Sequence, residues 1–257
     1  MAKHTIYHVL ILDKSDSMRS VRDVTIQGFN ENLKGMREDK VDGDITQVGC
    51  LVVFSDDVRE SIWLEPVADL PDLAPEQYKP SGSTALFDAI GKTVTRLENE
   101  IGEEIKKKDA NVVVTIFTDG QENASTEWKS PSKLRDLLAE LRKSGQWTFT
   151  FIGCEEATLQ TAQSIGFSAA NTLKYEATVG GTDKAFKALR SARTNYNQKL
   201  SATVSTLKCQ DFATYAVASS SLQDGFFDDV DKDEQAKSLP NIAEMVAKIQ
   251  KGDKDSK

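Results

Sequence analysis

The feature that most limits the fold of this chain is a set of short, almost wholly apolar runs separated by segments with helical periodicity. Residues 6–12 and 112–117 are apolar at nearly every position rather than at alternate ones. Runs of this kind are typical of strands buried on both faces, and such strands belong to parallel sheets that are covered by helices. The sequence therefore predicts an α/β protein with its sheet in the interior.

The alternation continues as far as residue 207. Strands are predicted at 6–12, 50–54, 58–64, 112–117, 147–152 and 172–175, with apolar positions at helical spacing in 26–36, 87–105, 134–141, 159–165 and 186–207. Segment 58–64 follows a turn and has a charged face, which favours an antiparallel edge strand. We predict a doubly wound α/β fold with a mainly parallel six-stranded sheet and one antiparallel edge strand.

The periodic pattern breaks after Cys209. Residues 224–234 carry six acidic side chains and one lysine, and residues 242–249 form an amphipathic segment. We predict one domain at 1–207 and, at 208–257, an acidic linker with a C-terminal amphipathic helix. Two interpretations of the acidic segment stay open: a solvated linker, or a docking segment for this domain or for another protein.

Charge and composition exclude several classes of function. The 257 residues include 40 acidic and 32 basic side chains, a net charge of −8, which argues against nucleic-acid binding. No apolar run approaches the ~18 residues of a membrane span, and the first residues lack a signal-peptide pattern. The three widely spaced cysteines favour neither a disulfide framework nor a zinc site, and are typical of reduced thiols in a cytosol. We expect a cytoplasmic protein without a membrane partner.

Three loops with oxygen-bearing side chains lie beside the predicted strands. The first follows strand 6–12, the second precedes the helix around 87–105, and the third follows strand 112–117. In a doubly wound sheet, ligands bind outside the carboxyl ends of the strands, where the strand order reverses. Carboxylate and hydroxyl oxygens without imidazole or thiolate suit a hard divalent cation, Mg²⁺ or else Mn²⁺ or Ca²⁺. The predicted metal-site residues are Asp13, Ser15, Ser17, Thr84 and Asp119.

The ordered set Asp-x-Ser-x-Ser, Gly-Ser-Thr and Thr-Asp-Gly resembles the von Willebrand factor A (vWA) domain with its metal-ion-dependent adhesion site (MIDAS). The sequence segments around these motifs are similar to a bacterial cytoplasmic branch of that family. They include Leu-Asp-Lys-Ser-Asp-Ser-Met and Phe-Thr-Asp-Gly-Gln-Glu-Asn-Ala-Ser. The resemblance covers roughly residues 5–205. It implies a vWA fold that is related to the Rossmann type.

The resemblance also implies roles for the site residues. Ser15 and Ser17 would bind the metal through their hydroxyls, and Thr84 would bind it directly or through water. Asp13 and Asp119 would act mostly through bridging waters. One coordination position would be left for an acidic residue of a protein partner, and the module would not be an enzyme. Domains of this family often serve ATPase machines and stress or defence operons.

One position departs from the family. Asp16 stands where the family usually has glycine. If the backbone there has a positive φ, aspartate tolerates it better than most residues do. The Asp16 carboxylate would add negative charge beside the metal, and it would either strengthen cation binding or repel an acidic partner.

Two other functions compete with this one. An Mg²⁺-dependent hydrolase or phosphatase would use the same three loops at the carboxyl ends of the strands (the rim of the sheet), with Asp16, Asp119 or Glu122 as general base. A dehalogenase-type phosphatase, however, needs a carboxylate where Ser15 stands. His8 precedes Asp13 by about 16 Å of strand, so histidine-assisted catalysis is excluded at the rim. The other competitor is a structural module whose metal only stabilises the fold.

We therefore expect a metal-dependent protein–protein interaction module that serves as an adaptor or regulatory subunit of an intracellular assembly. An acidic tail from one copy that fills the metal site of another is a further arrangement, which the sequence leaves open.

Overall fold

The computed structural model describes residues 4–39, 41, 44–207 and 218–230. Its strands and helices alternate along the chain. They are β1 (His4–Asp13), α1 (Arg22–Glu38), β2 (Ile45–Phe54), β3 (Val58–Pro66), α2 (Leu86–Lys106), β4 (Ala110–Thr118), α3 (Pro131–Arg142), β5 (Trp147–Gly153), α4 (Glu156–Ser164), β6 (Thr172–Lys174) and α5 (Val179–Leu207).

The strands form one six-stranded sheet in the order β3-β2-β1-β4-β5-β6. All neighbouring pairs are parallel except β2 with β3, which is antiparallel. Every residue of β4 and β5 is buried, whereas β3 exposes about half of its residues. The predicted fold class, doubly wound with one antiparallel edge, is confirmed.

Helices cover both faces of the sheet. Helices α1 and α5 pack on one face, where Phe186 of α5 stacks on Phe117 of β4 with 4.5 Å between ring centroids. Helices α2, α3 and α4 pack on the other face. Within the described ranges, no helix is both long and apolar enough to span a membrane.

The strand order reverses at β1, and this reversal positions the candidate site. The chain moves from β1 to β2 on one side, then returns to place β4 on the other side of β1. The loops that leave β1 and β4 therefore diverge, and a crevice opens outside the carboxyl ends of these strands.

Residues 218–230, which follow the predicted domain boundary at 207, pack against the amino ends of β4, β5 and β6. Phe226 and Phe227 are buried in the core between the sheet and α5, and the Gln223 side chain donates to the Trp147 carbonyl at 2.9 Å. The apolar pair outweighs the surrounding acidic residues, because those side chains point to solvent while the rings fill the core. Residues 208–217 and 231–257, including the predicted amphipathic helix, lie outside the described part of the chain.

Candidate metal centre

Asp13 is fixed at the carboxyl end of β1 and is completely buried. Its carboxylate accepts hydrogen bonds from the Ser15 backbone N–H at 2.6 Å and from the Thr118 hydroxyl at 2.5 Å. The Tyr78 hydroxyl donates to the Asp13 backbone carbonyl at 2.5 Å. These contacts hold the carboxylate between the first and third loops, because Thr118 is the last residue of β4.

Two serine hydroxyls of the first loop connect it to Asp119 in the third loop. Ser15 is extended, and a short 3₁₀ helix begins at the next residue. The Ser15 and Ser17 hydroxyl oxygens are 3.0 Å apart, and Ser17 donates to the Asp119 carboxylate at 2.6 Å. The alternate spacing read from the sequence thus places both hydroxyls on the same side of the loop.

Thr84 completes the group from the second loop. A Cβ added to Gly120 would lie 2.8 Å from the Thr84 hydroxyl oxygen and 3.5 Å from the Asp13 carboxylate. Thr84 and Asp13 therefore meet beside Gly120, and the missing side chain leaves the space between them open. All five residues that the sequence selected are brought together, from three loops, at one end of the sheet.

Backbone hydrogen bonds join the three loops to one another. The Asp16 N–H donates to the Gly82 carbonyl at 3.0 Å, and the Ser81 N–H donates to the Lys14 carbonyl at 2.8 Å. In the second and third loops, the Thr84 N–H donates to the Asn123 side-chain oxygen at 2.8 Å. The Asn123 N–H donates back to the Thr84 carbonyl at 3.0 Å.

Glu122 and Asn123 hold the third loop in place, a role that the sequence did not reveal. Glu122 accepts from the N–H of Phe87 at 2.8 Å, and also from the N–H groups and hydroxyl of 124–125. It thereby ties the third loop to the first turn of α2. Both residues belong to the motif that follows Asp119, but only the folded positions of the loops show that they connect the loops.

Burial changes the acidity of the two site aspartates. It raises the pKa of Asp13 to about 6, although hydrogen bonds from Thr118 and Ser15 oppose the shift. Burial also raises the pKa of Asp119, the Ser17 hydroxyl opposes this, and the nearby Glu155 carboxylate adds to it. Among the described residues, neither aspartate forms an ion pair with a basic side chain. A cation bound here would supply the positive charge that both carboxylates lack.

The donor set fits a hard divalent cation. Three hydroxyls and two carboxylates offer only oxygen, which Mg²⁺, Mn²⁺ and Ca²⁺ prefer. Within the described ranges, no group of three or more histidine, cysteine or acidic side chains is arranged to hold a metal. Any metal at this rim would thus depend on serine and threonine hydroxyls as well as on carboxylates.

The cleft above the five residues is acidic. The four carboxylates that line it belong to Asp16, Asp119, Glu122 and Glu155. No lysine or arginine in the described part of the chain lines this cleft. Asp16 does not have a positive φ, so the left-handed conformation considered for this position is absent. Its exposed carboxylate instead pairs with Arg19 at 2.7 Å.

The residues considered as general bases for a hydrolase are already engaged. The two Glu122 oxygens accept hydrogen bonds from the N–H groups of Phe87 and Ser125. Asp16 pairs with Arg19, and Asp119 accepts from Ser17. His8 is buried in the sheet and bonds with the Gln47 side chain at 3.0 Å. Each of these side chains therefore already has a polar partner within the protein.

A doubly wound sheet with an oxygen-rich site of three loops at the switch point defines a class of metal-binding α/β domains. The chain belongs to one family within that class: the model of the von Willebrand factor type A domain matches residues 9–188. Domains of this family commonly mediate protein–protein interaction and metal-dependent binding. No curated protein matches the sequence.

Solved structures share this fold. Proximal thread matrix protein 1 from the mussel byssus has a TM-score of 0.55 and 18% identity over 75% of this chain. The same mussel protein with a zinc-occupied MIDAS motif gives a TM-score of 0.52 and 21% identity, again over 75% of this chain. The chain spans about half of the mussel protein's length, 46% in both comparisons.

Proposed function

We propose that this protein is a non-catalytic, metal-dependent protein–protein interaction module. Ser15, Ser17 and Thr84 would hold a divalent cation, Mg²⁺ in the first instance, with Asp13 and Asp119 acting on it mostly through waters. The cation would supply an electrophilic centre that attracts an acidic side chain of the partner.

The observation that carries the proposal is the pairing of two buried carboxylates with a row of hydroxyls in the absence of a basic partner among the described residues. Burying a carboxylate without a compensating charge destabilises a fold. At this site the five oxygen side chains converge on the gap beside Gly120, where a cation would remove that cost. The mussel relative with zinc in its MIDAS motif supports the same use of this rim.

We propose further that the protein acts in a bacterial cytoplasm as an adaptor or regulatory subunit of a larger assembly. The net charge of −8 and the resemblance of the loop sequences to a bacterial cytoplasmic branch support this proposal. Self-association through the acidic tail stays a proposal as well, since its residues 231–234 lie outside the described part of the chain.

The experiment is a thermal unfolding series with Mg²⁺, Mn²⁺ and EDTA. A ligand that binds only the folded state at ten times its Kd stabilises it by about 1.4 kcal/mol. The wild type should unfold at a higher temperature with either metal, and Asp119→Ala should lose that shift while its metal-free fold persists. The exposed Glu156, which lies outside the cleft, provides the control: Glu156→Ala should keep the full shift.

Two results would contradict the proposal. A metal shift that survives in Asp119→Ala would place the cation elsewhere. Metal-dependent release of phosphate from a generic phosphomonoester, lost in Asp119→Ala and kept in Glu156→Ala, would identify a hydrolase instead.

A further inference from the structure

We propose that the partner segment carries basic side chains next to the carboxylate that binds the metal, and that Glu155 pairs with one of them. This inference rests on the proposed function, and it concerns the chemistry of the partner rather than the metal.

The charge of the cleft is the first argument. Five carboxylates surround the metal position when the buried Asp13 is counted with the four that line the cleft. A divalent cation neutralises two of these charges, and Arg19 compensates that of Asp16. The metal-loaded cleft remains negative, so a partner segment with only acidic residues is opposed by the rim that surrounds its binding site.

Glu155 is the carboxylate best placed to select the partner. It follows β5 and directly precedes α4, and it is exposed at the rim of the cleft. The Gln121 side chain donates to it at 2.9 Å, which holds the carboxylate over the third loop. In the part of the chain that the structure describes, no lysine or arginine forms an ion pair with Glu155.

Glu155 and Asp119 line the same cleft. A lysine or arginine beside the partner's carboxylate would enter this same region. It would meet Glu155 while the carboxylate approaches the metal.

Glu156 provides a matched control. It is the next residue, it is also exposed, and it carries the same charge, but it pairs with Lys174 at 3.4 Å and does not line the cleft. Replacing Glu155 or Glu156 with glutamine changes the net charge equally, so only a contact specific to the cleft distinguishes the two variants.

The experiment is a chemical-shift titration of the Mg²⁺-loaded, ¹⁵N-labelled full chain with two short capped peptides. One is Gly-Lys-Asp-Lys-Gly and the other is Gly-Ser-Asp-Ser-Gly. Exposed ion pairs contribute roughly 0.2–1 kcal/mol each, so the lysine peptide should bind about fivefold more tightly at low salt. The ratio should fall to about twofold in Glu155→Gln and stay near fivefold in Glu156→Gln.

Equal binding of the two peptides by the wild type would overturn this inference and leave the proposed function standing. An unchanged ratio in Glu155→Gln would overturn it in the same way. Absence of any Mg²⁺-dependent binding of either peptide would overturn both proposals, and a parallel Mg²⁺ titration without peptide shows whether the metal site itself exists.

Discussion

The two ends of the sheet bury polar groups in opposite ways. At the amino ends of β4, β5 and β6, residues 218–230 pack on the sheet, and the side chains of Ser219 and Gln223 donate to backbone carbonyls there. Asn171 alone donates to the Phe149 and Gln223 carbonyls at 3.0 and 2.5 Å, and it accepts from the Phe226 N–H at 3.0 Å. At the carboxyl ends, Asp13 and Asp119 are buried beside a cleft that is lined, among the described residues, by no lysine or arginine.

This difference separates stability from binding within one fold. A buried amide whose hydrogen bonds are all made holds the structure together, whereas a buried carboxylate without a counter-charge costs free energy until a cation arrives. Mutations at the amino ends of the strands (the closed end) should therefore lower stability. Mutations at the carboxyl ends (the open end) should instead weaken metal binding.

The largest expected effect lies at the closed end. Phe227→Ala should lower the free energy of unfolding by about 3–5 kcal/mol, because the fully buried ring leaves a cavity beside the sheet. Urea unfolding followed by circular dichroism measures this, and Phe227→Leu should lose distinctly less. If Phe227→Ala unfolds like the wild type, residues 218–230 are not part of the cooperative domain.

A second pair of variants compares the two ends directly. Asn171→Ala should cost about 2–3 kcal/mol, because it leaves buried backbone groups without partners. Ser17→Ala should cost less than about 1 kcal/mol in the metal-free protein, because water in the open cleft can replace its bond to Asp119. It should nevertheless weaken the stabilisation by Mg²⁺. Similar losses of stability in both variants, measured by urea unfolding, would remove the distinction between the ends.

The buried His8, which lies in β1 between the two ends, should make the stability of the fold depend on pH. Burial lowers the pKa of His8 to about 3, and the nearby Arg193 adds to the shift. Below an unfolded pKa of about 6.5, the unfolded chain binds a proton that the folded protein rejects, so stability falls as the pH falls from there toward 3. His8 alone should contribute a loss of about 2 kcal/mol between pH 7.5 and pH 5. The raised pKa of Asp13 offsets part of this loss, because the folded protein protonates Asp13 before the unfolded chain does.

Urea unfolding across this pH range tests the prediction, with His8→Gln as the comparison. The variant retains a donor toward Gln47 but does not titrate, so the wild type should lose about 2 kcal/mol relative to the variant between pH 7.5 and pH 5. Parallel curves for wild type and variant would mean that His8 does not control the acid sensitivity.

The smallest expected effect concerns Asp16. Because its ion pair with Arg19 is exposed, Asp16→Asn should change the metal-free unfolding free energy by less than about 0.5 kcal/mol. The loss of one carboxylate from the cleft should weaken Mg²⁺ binding about two- to threefold. Calorimetric titration of Mg²⁺ into both proteins gives the comparison. A large loss of stability would instead assign Asp16 a structural role in the first loop.

Most of the fold follows from the sequence, because the buried strands are apolar at nearly every position and the helices have clear apolar faces. The predicted antiparallel edge strand agrees with the structure. The last helix begins before the apolar spacing at 186–207, because Gly180 and Gly181 belong to α5. The Thr178 hydroxyl accepts the Gly181 N–H and lets the helix begin earlier.

The remaining differences depend on contacts between distant parts of the chain. The five site residues could be selected from local spacing, since each lies next to a strand end or a helix start. Glu122 could not be identified as a brace, because its partners belong to α2. Phe226 and Phe227 are surrounded by acidic residues, and nothing local shows that a sheet edge receives them. Glu155 follows a strand end, but only the cleft reveals its neighbours.

The hydrogen bonds among the three loops have a consequence for the affinity and selectivity of binding. Loops that are already fastened to one another lose little conformational entropy when a ligand arrives, so more of the contact energy is retained as affinity. The same links between Asp16 and Gly82, and between Thr84 and Asn123, make the loops open together rather than singly. Their amides should exchange with deuterium as one cooperative unit. If the site binds a cation as proposed, this fixed spacing should select among cations by size, because no loop adjusts alone.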